Sequence, residues 1–156
     1  MDICEKYEIF MIEDCAHTMG AKWNGKNSGT FGDIACFSNQ TYKHINSGEG
    51  GFLTTTDPEI MAKAIMYSGS YMLFERHLAA PPKEVFEQIR FETPNFSGRM
   101  DNLRAAILRS QLPELEAHCE RWNELYRAAE AALGRGGGVG VAVRGEREYC
   151  VGGAVQ

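Results

Sequence analysis

The run Cys36-Phe37-Ser38-Asn39-Gln40-Thr41-Tyr42-Lys43-His44-Ile45-Asn46-Ser47-Gly48-Glu49-Gly50-Gly51 constrains this chain more than any other stretch. It grows out of an apolar segment, Ile34 to Phe37, with the β-forming content of a buried strand. A polar turn then presents a single lysine, and glycines lead into a second strand-like segment, Phe52-Leu53-Thr54-Thr55. Upstream, Ile9-Phe10-Met11-Ile12 reads as another strand that ends in Glu13-Asp14, with His17 shortly after. A lysine, a carboxylate and a hydroxyl (Lys43, Asp14 and Ser38) are thereby set at strand ends, where open α/β sheets bind ligands. That set meets the needs of pyridoxal phosphate. The lysine supplies the Schiff-base amine, the carboxylate keeps the pyridinium nitrogen protonated, and the hydroxyl binds the phosphate.

Each of these residues also has a plainer reading. Most lysines are solvated, and Lys6, Lys22, Lys26, Lys63 and Lys83 are read that way; only Lys43 has the strand–turn setting. Asp14 has a rival in Glu13, which strand alternation turns to the opposite face, and an aspartate before Cys15-Ala16 also suits a capped turn. Ser38 suits a turn in which it bonds its own backbone. His17, His44, Cys15 and Cys36 show no recognisable metal-ligand spacing, so no metal site is expected.

Bulk properties narrow the class. A chain of 156 residues with 44% hydrophobic content suits one soluble core. Net charge −5 and scattered basic residues argue against a nucleic-acid surface. No apolar stretch approaches the roughly 20 residues of a membrane helix, and the polar start, Met1 to Lys6, has no signal-peptide pattern. Five cysteines without regular spacing suit reduced thiols, and a cytoplasmic setting is expected.

Strands are expected over 7–12, 34–37 and 51–56, with a small hairpin near 23–29. Asp57-Pro58 should start a helix over about 58–68. Residues 69–98 read as a long irregular loop, with a short helix from Lys83 to Arg90. Asp101 is the expected N-cap of a helical stretch that Pro113 breaks near 109–113. The glycine-rich run from Gly134 to Gly140 reads as a linker, and Val141–Val143 and Tyr149–Val151 as strands that open a further domain.

The segments Asp14-Cys15-Ala16-His17-Thr18-Met19-Gly20-Ala21, Gly29-Thr30-Phe31-Gly32-Asp33 and the Lys43 run closely resemble the DegT-like sugar aminotransferases. The likeness continues through Asn95 to Met100, Ala105-Ala106 and Gln111-Leu112. It covers most of residues 1–133 and, more faintly, the tail. The resemblance implies a fold-type-I architecture, α/β, with a mainly parallel sheet, flanking helices and a long helical segment. Residues 1–133 would be the C-terminal half of the cofactor-binding large domain. Residues 134–156 would be a linker and the first strands of a small domain, so the chain reads as an internal fragment.

The implied cofactor is pyridoxal 5'-phosphate, and the implied reaction passes an amino group, often from glutamate, to a nucleotide-linked keto-sugar. Lys43 and Asp14 take the catalytic roles; His17 packs against the cofactor, and Ser38 binds its phosphate. Asn95 lies in the segment that reaches a partner's site, which implies a homodimer with shared active sites. Ser97-Gly98 departs from the family pattern and leaves Asn95 and Ser97 both open for that contact, or Asn95 as a structural cap. A regulatory protein on the same scaffold is an alternative, as is a deoxysugar dehydratase, whose relatives carry histidine where this chain has Lys43.

Overall fold

The structure is a computed structural model that describes residues 2–69, 72–136, 140 and 144–152. The first element is a short helix, α1 (Asp2–Lys6), ahead of the strand expected over 7–12. Backbone bonds from Tyr7 to Ile3 and from Ile9 to Cys4 continue its turn, and Glu8 has a left-handed φ of 52°. Those bonds occupy residues 7–9, so the strand expected over 7–12 begins only at Ile12. Strand β1 spans Ile12–Asp14.

Strand β1 pairs in parallel with β4 (Ile34–Ser38), Asp14 opposite Cys36. Strand β5 (Gly51–Thr54) lies on the other side of β4 and runs antiparallel, Ser38 opposite Gly51. The expectation of a mainly parallel sheet therefore needs amending for these three strands. Parallel pairing needs a crossover connection, whereas residues 39–50 fold back so that Asn39 N–H meets the Gly50 carbonyl at 2.8 Å. The chain returns beside the strand it has just left.

The hairpin near residue 25 forms from β2 (Lys22–Trp23) and β3 (Lys26–Asn27). Its two turn residues, Asn24 and Gly25, have φ of 50° and 77°, the left-handed geometry that suits the twist of a two-residue hairpin. Tyr149 belongs to β6 (Glu148–Tyr149), which adds to this hairpin beside β2. Val141–Val143 and the middle of the glycine run lie outside the described residues.

Helix α2 (Pro58–Ser68) starts where expected because Asp57 accepts from Glu59 and Ile60 N–H at 2.8 and 3.0 Å. Gly69 closes it at φ 112°. Between residues 72 and 90 the chain holds more regular structure than the loop expected over 69–98. A 3₁₀ turn at Phe74–Arg76 and α3 (Lys83–Ile89) pack on α2 around Ala62, Ile65, Met66, Phe74, Phe86 and Ile89. The Phe74 and Phe86 rings lie 4.5 Å apart. Helix α4 (Asn102–Gln111), capped by Asp101 at 2.9 Å, gives way to a 3₁₀ turn at Leu112–Glu114 and then α5 (Leu115–Gly134). Pro113 lies at that break, as its missing donor demands.

A second core joins sheet to helices: Met19, Ile45 and Leu108, flanked by Phe37, Phe52, Met100 and Leu115. Phe37 and Phe52 stack at 4.8 Å from opposed register positions. Alternation places Glu13, Ala35, Phe37 and Phe52 on that covered face. Ile12, Asp14, Cys36 and Ser38 point the other way, and there Ile12 and Cys36 are exposed.

Candidate active site

Neighbouring carboxylates on β1 have different surroundings. The Glu13 carboxylate accepts N–H groups from Gly29 at 2.8 Å, Phe31 at 2.6 Å and Gly32 at 2.7 Å. Burial alone would raise its pKa, but the bonds from Gly32, Gly29 and Phe31, with Lys26 nearby, bring it below the usual carboxylate value. Glu13 thus ties the segment 29–32 to β1. Asp14, on the opposite face, is exposed; its Oδ1 accepts from Ala16 N–H at 3.0 Å, the turn bond of the plainer reading. Its Oδ2 has no hydrogen-bond partner among the described residues.

Lys43 projects from the loop after β4 and meets His17, which follows β1. The Lys43 Nζ–His17 Nε2 distance is 2.8 Å. The fold thus brings together an amine and an imidazole that are 26 positions apart in sequence. His44 points elsewhere, half-buried, with its ring 5.1 Å from that of Trp122. Burial pushes its pKa down, and the charges of His17 and Lys43 add to that.

Ser38 closes β4, and its hydroxyl accepts from Gln40 N–H at 3.4 Å, as a turn serine does. Asn95 is separate from this cluster. Its side-chain oxygen accepts from Ser97 N–H at 2.7 Å, and its segment lies against the end of α2, where Phe96 N–H donates to Tyr67. Gly69, whose φ of 112° favours glycine, lies against the Arg99 and Asn95 side chains. Asn95 does not cap α4, since Asp101 does, and no hydrogen bond joins it to Lys43, Asp14 or His17 among the described residues. Ser97, at φ 53°, is held by Asn95 in the same turn.

Two further residues emerge only in three dimensions. Ile45 is fully buried within an otherwise polar loop, and that one apolar position was its sequence signal. Gln111 bonds to Asn46 in both directions; a helical glutamine carries no sequence signal for such a bond. A cleft of about 510 Å³ lies on the covered side of the sheet between Gly29, Phe37, Phe52, Leu115 and Cys119. None of Lys43, Asp14 or His17 lines it, so volume does not mark the chemistry here.

An amine, a carboxylate with a free oxygen, an imidazole and a hydroxyl at adjoining strand ends form a donor set that fits pyridoxal phosphate. The DegT/DnrJ/EryC1/StrS aminotransferase family profile matches residues 1–148. Among curated relatives, GDP-perosamine synthase of Caulobacter vibrioides is 34% identical over 137 residues, covering 86% of this chain and 34% of that protein. The chain spans about a third of the length of the curated relatives it matches. The aminotransferase TlmJ from Streptoalloteichus hindustanus superposes with TM-score 0.76 at 19% identity, over 97% of this chain and 39% of that one, a likeness of fold. GDP-4-keto-6-deoxy-D-mannose-3-dehydratase from E coli, solved with bound hydrated PLP, superposes with TM-score 0.64 at 29% identity, over 86% of this chain and 35% of that one. The solved aminotransferases it resembles place the chain on part of a fold-type-I scaffold. No described helix is long and apolar enough to cross a membrane. Profile, relatives and fold agree, and this chain belongs to the DegT/DnrJ/EryC1/StrS aminotransferase family.

Proposed function

We propose that the intact protein is a pyridoxal-phosphate-dependent aminotransferase that passes an amino group, often from glutamate, to a nucleotide-linked keto-sugar. It works as a cytoplasmic homodimer with shared sites. The observation that carries this reading is Lys43 itself, a partly buried lysine held in the loop after β4 and hydrogen-bonded to His17. The names of relatives support the substrate class, since they include GDP-perosamine synthase and an L-glutamine:2-deoxy-scyllo-inosose aminotransferase. The dehydratase likeness supports the scaffold and cofactor, while lysine rather than histidine at position 43 favours amino transfer. The same reading divides the chain in the last turn of α5: residues 1–133 belong to the large domain and 134–156 lead into the small one.

When bound, pyridoxal phosphate supplies an electron sink for the carbon beside the substrate nitrogen. Lys43 would hold it covalently through its amine, one water leaving as the nitrogen–carbon bond forms, and once displaced would move the proton at the substrate carbon. The Asp14 carboxylate would hold a proton on the ring nitrogen, and its fixed charge acts where negative charge develops. His17 would flank the ring, Ser38 would donate to the phosphate, and Asn95 would reach the phosphate held by the other subunit. Borohydride treatment of the intact protein loaded with the cofactor should label Lys43 irreversibly, and Lys43→Ala should remove the label. Label on any other lysine would overturn the assignment.

A further inference from the structure

The loop that presents Lys43 is closed on itself and pinned from outside. Besides the Asn39–Gly50 bond, Thr41 N–H donates to Gly48 O at 3.0 Å and Ser47 N–H to Asn39 O at 3.0 Å. On the lysine's side of the loop, Lys43 N–H donates to Gln40 O at 2.9 Å, and Tyr42 N–H to the Gln40 side chain at 3.0 Å. Ile45 is driven into the core against Met19 and Leu108. The next residue, Asn46, is gripped by a side chain 65 positions away. Gln111 Oε1 accepts Asn46 N–H at 3.0 Å, and Gln111 Nε2 donates to Asn46 O at 2.7 Å.

The amide is itself held in one orientation. Its nitrogen also donates to Ile107 O at 3.0 Å, one turn back along α4. A flipped amide would set its oxygen against two carbonyls and its nitrogen against an N–H, so the bonds select a single arrangement. Gln111 is the last residue of α4, beside the break that Pro113 imposes, and its backbone is anchored by the helix. Bonds to both N–H and C=O of one residue restrain the peptide planes on either side of it. Those planes lie three residues from Lys43.

We propose that Gln111 is a positioning residue for Lys43. By clamping Asn46 from α4, it fixes where the lysine stem leaves the loop, so the amine is delivered toward His17 rather than sampling the exposed surroundings. The proposal rests on the reading of Lys43 as the cofactor lysine. Preorganisation of this kind matters because small displacements of a reacting group reduce rates steeply.

The test compares Gln111→Met, similar in length but without the bonds, and Gln111→Glu, which keeps only the acceptor for Asn46 N–H, with the unmodified intact protein. Three quantities are read: amide hydrogen exchange in the cofactor-free protein, the growth rate of the visible band when pyridoxal phosphate is added, and the pH midpoint of that band. In Gln111→Met, exchange at Asn46 should quicken while amides in α2 and α3 hold their rates. Band growth should slow about tenfold or more, and the midpoint should move, with Gln111→Glu between. Loosened loop amides with unchanged band growth and midpoint would overturn the proposal and leave Gln111 a staple. Faster exchange throughout α2 and α3 would overturn it as general destabilisation. Absence of the band in the unmodified protein would overturn the cofactor reading, and the proposal with it.

Discussion

Asp14 and Glu13 show how one step along a strand separates two identical functional groups. Glu13 is engaged by backbone donors from three residues, and Asp14 has an oxygen left over. The proposed role of Asp14 depends on charge alone, so Asp14→Asn keeps size and the turn bond to Ala16 while removing the charge. Amino transfer should fall by about two orders of magnitude, the scale of losing one fixed electrostatic contact in the transition state. Covalent loading of Lys43 should persist. Single-turnover kinetics beside borohydride labelling would separate the two effects, and undiminished turnover would remove Asp14 from the chemistry. Strand alternation predicted the opposite faces of the two carboxylates before any fold was known. The Lys43–His17 contact was not legible, because it joins loops from two strands whose adjacency only pairing creates.

At the scale of elements, Glu13 fastens the segment after the β2–β3 hairpin to the central sheet. Its pKa is depressed in the fold, so the unfolded carboxylate binds its proton first as the pH drops. The stabilisation is complete above the unfolded value, near ~4.3, and is lost as pH falls through the folded pKa. Glu13→Gln should lower stability by about 2 kcal/mol at neutral pH, as expected for bonds to a charged acceptor. It should also flatten the acid limb of the stability profile. Urea titrations of both proteins at several pH values would show this, and parallel acid limbs would contradict it. Helices α2 and α4 were readable because their caps, Asp57 and Asp101, act within a few residues of themselves. The start of β1 was misplaced because backbone bonds that continue the turn of α1 occupy residues 7–9, and periodicity does not arbitrate short segments.

At the scale of the whole molecule, large apolar side chains stand exposed, among them Ile12 on the sheet and Leu103 and Leu125 on the helices. Such a surface calls for burial against further protein. The separation of Asn95 from Lys43 suits a site completed by a second copy across a symmetric interface. Mixing inactive Lys43→Ala with inactive Asn95→Ala in the intact protein should therefore restore part of the activity. The restored sites would combine Lys43 of one subunit with Asn95 of the other. No recovery after confirmed subunit exchange would confine Asn95 to its own chain.

The family, the opposite faces of Glu13 and Asp14 and the starts of α2 and α4 were already written in the order of amino acids, because caps and strand alternation are local. The antiparallel return of β5, the ordered helical packing after Gly69, the addition of β6 to the hairpin and the grip of Gln111 on Asn46 were decided only in three dimensions. Each of those depends on a partner far along the chain, whose proximity no short stretch of sequence encodes.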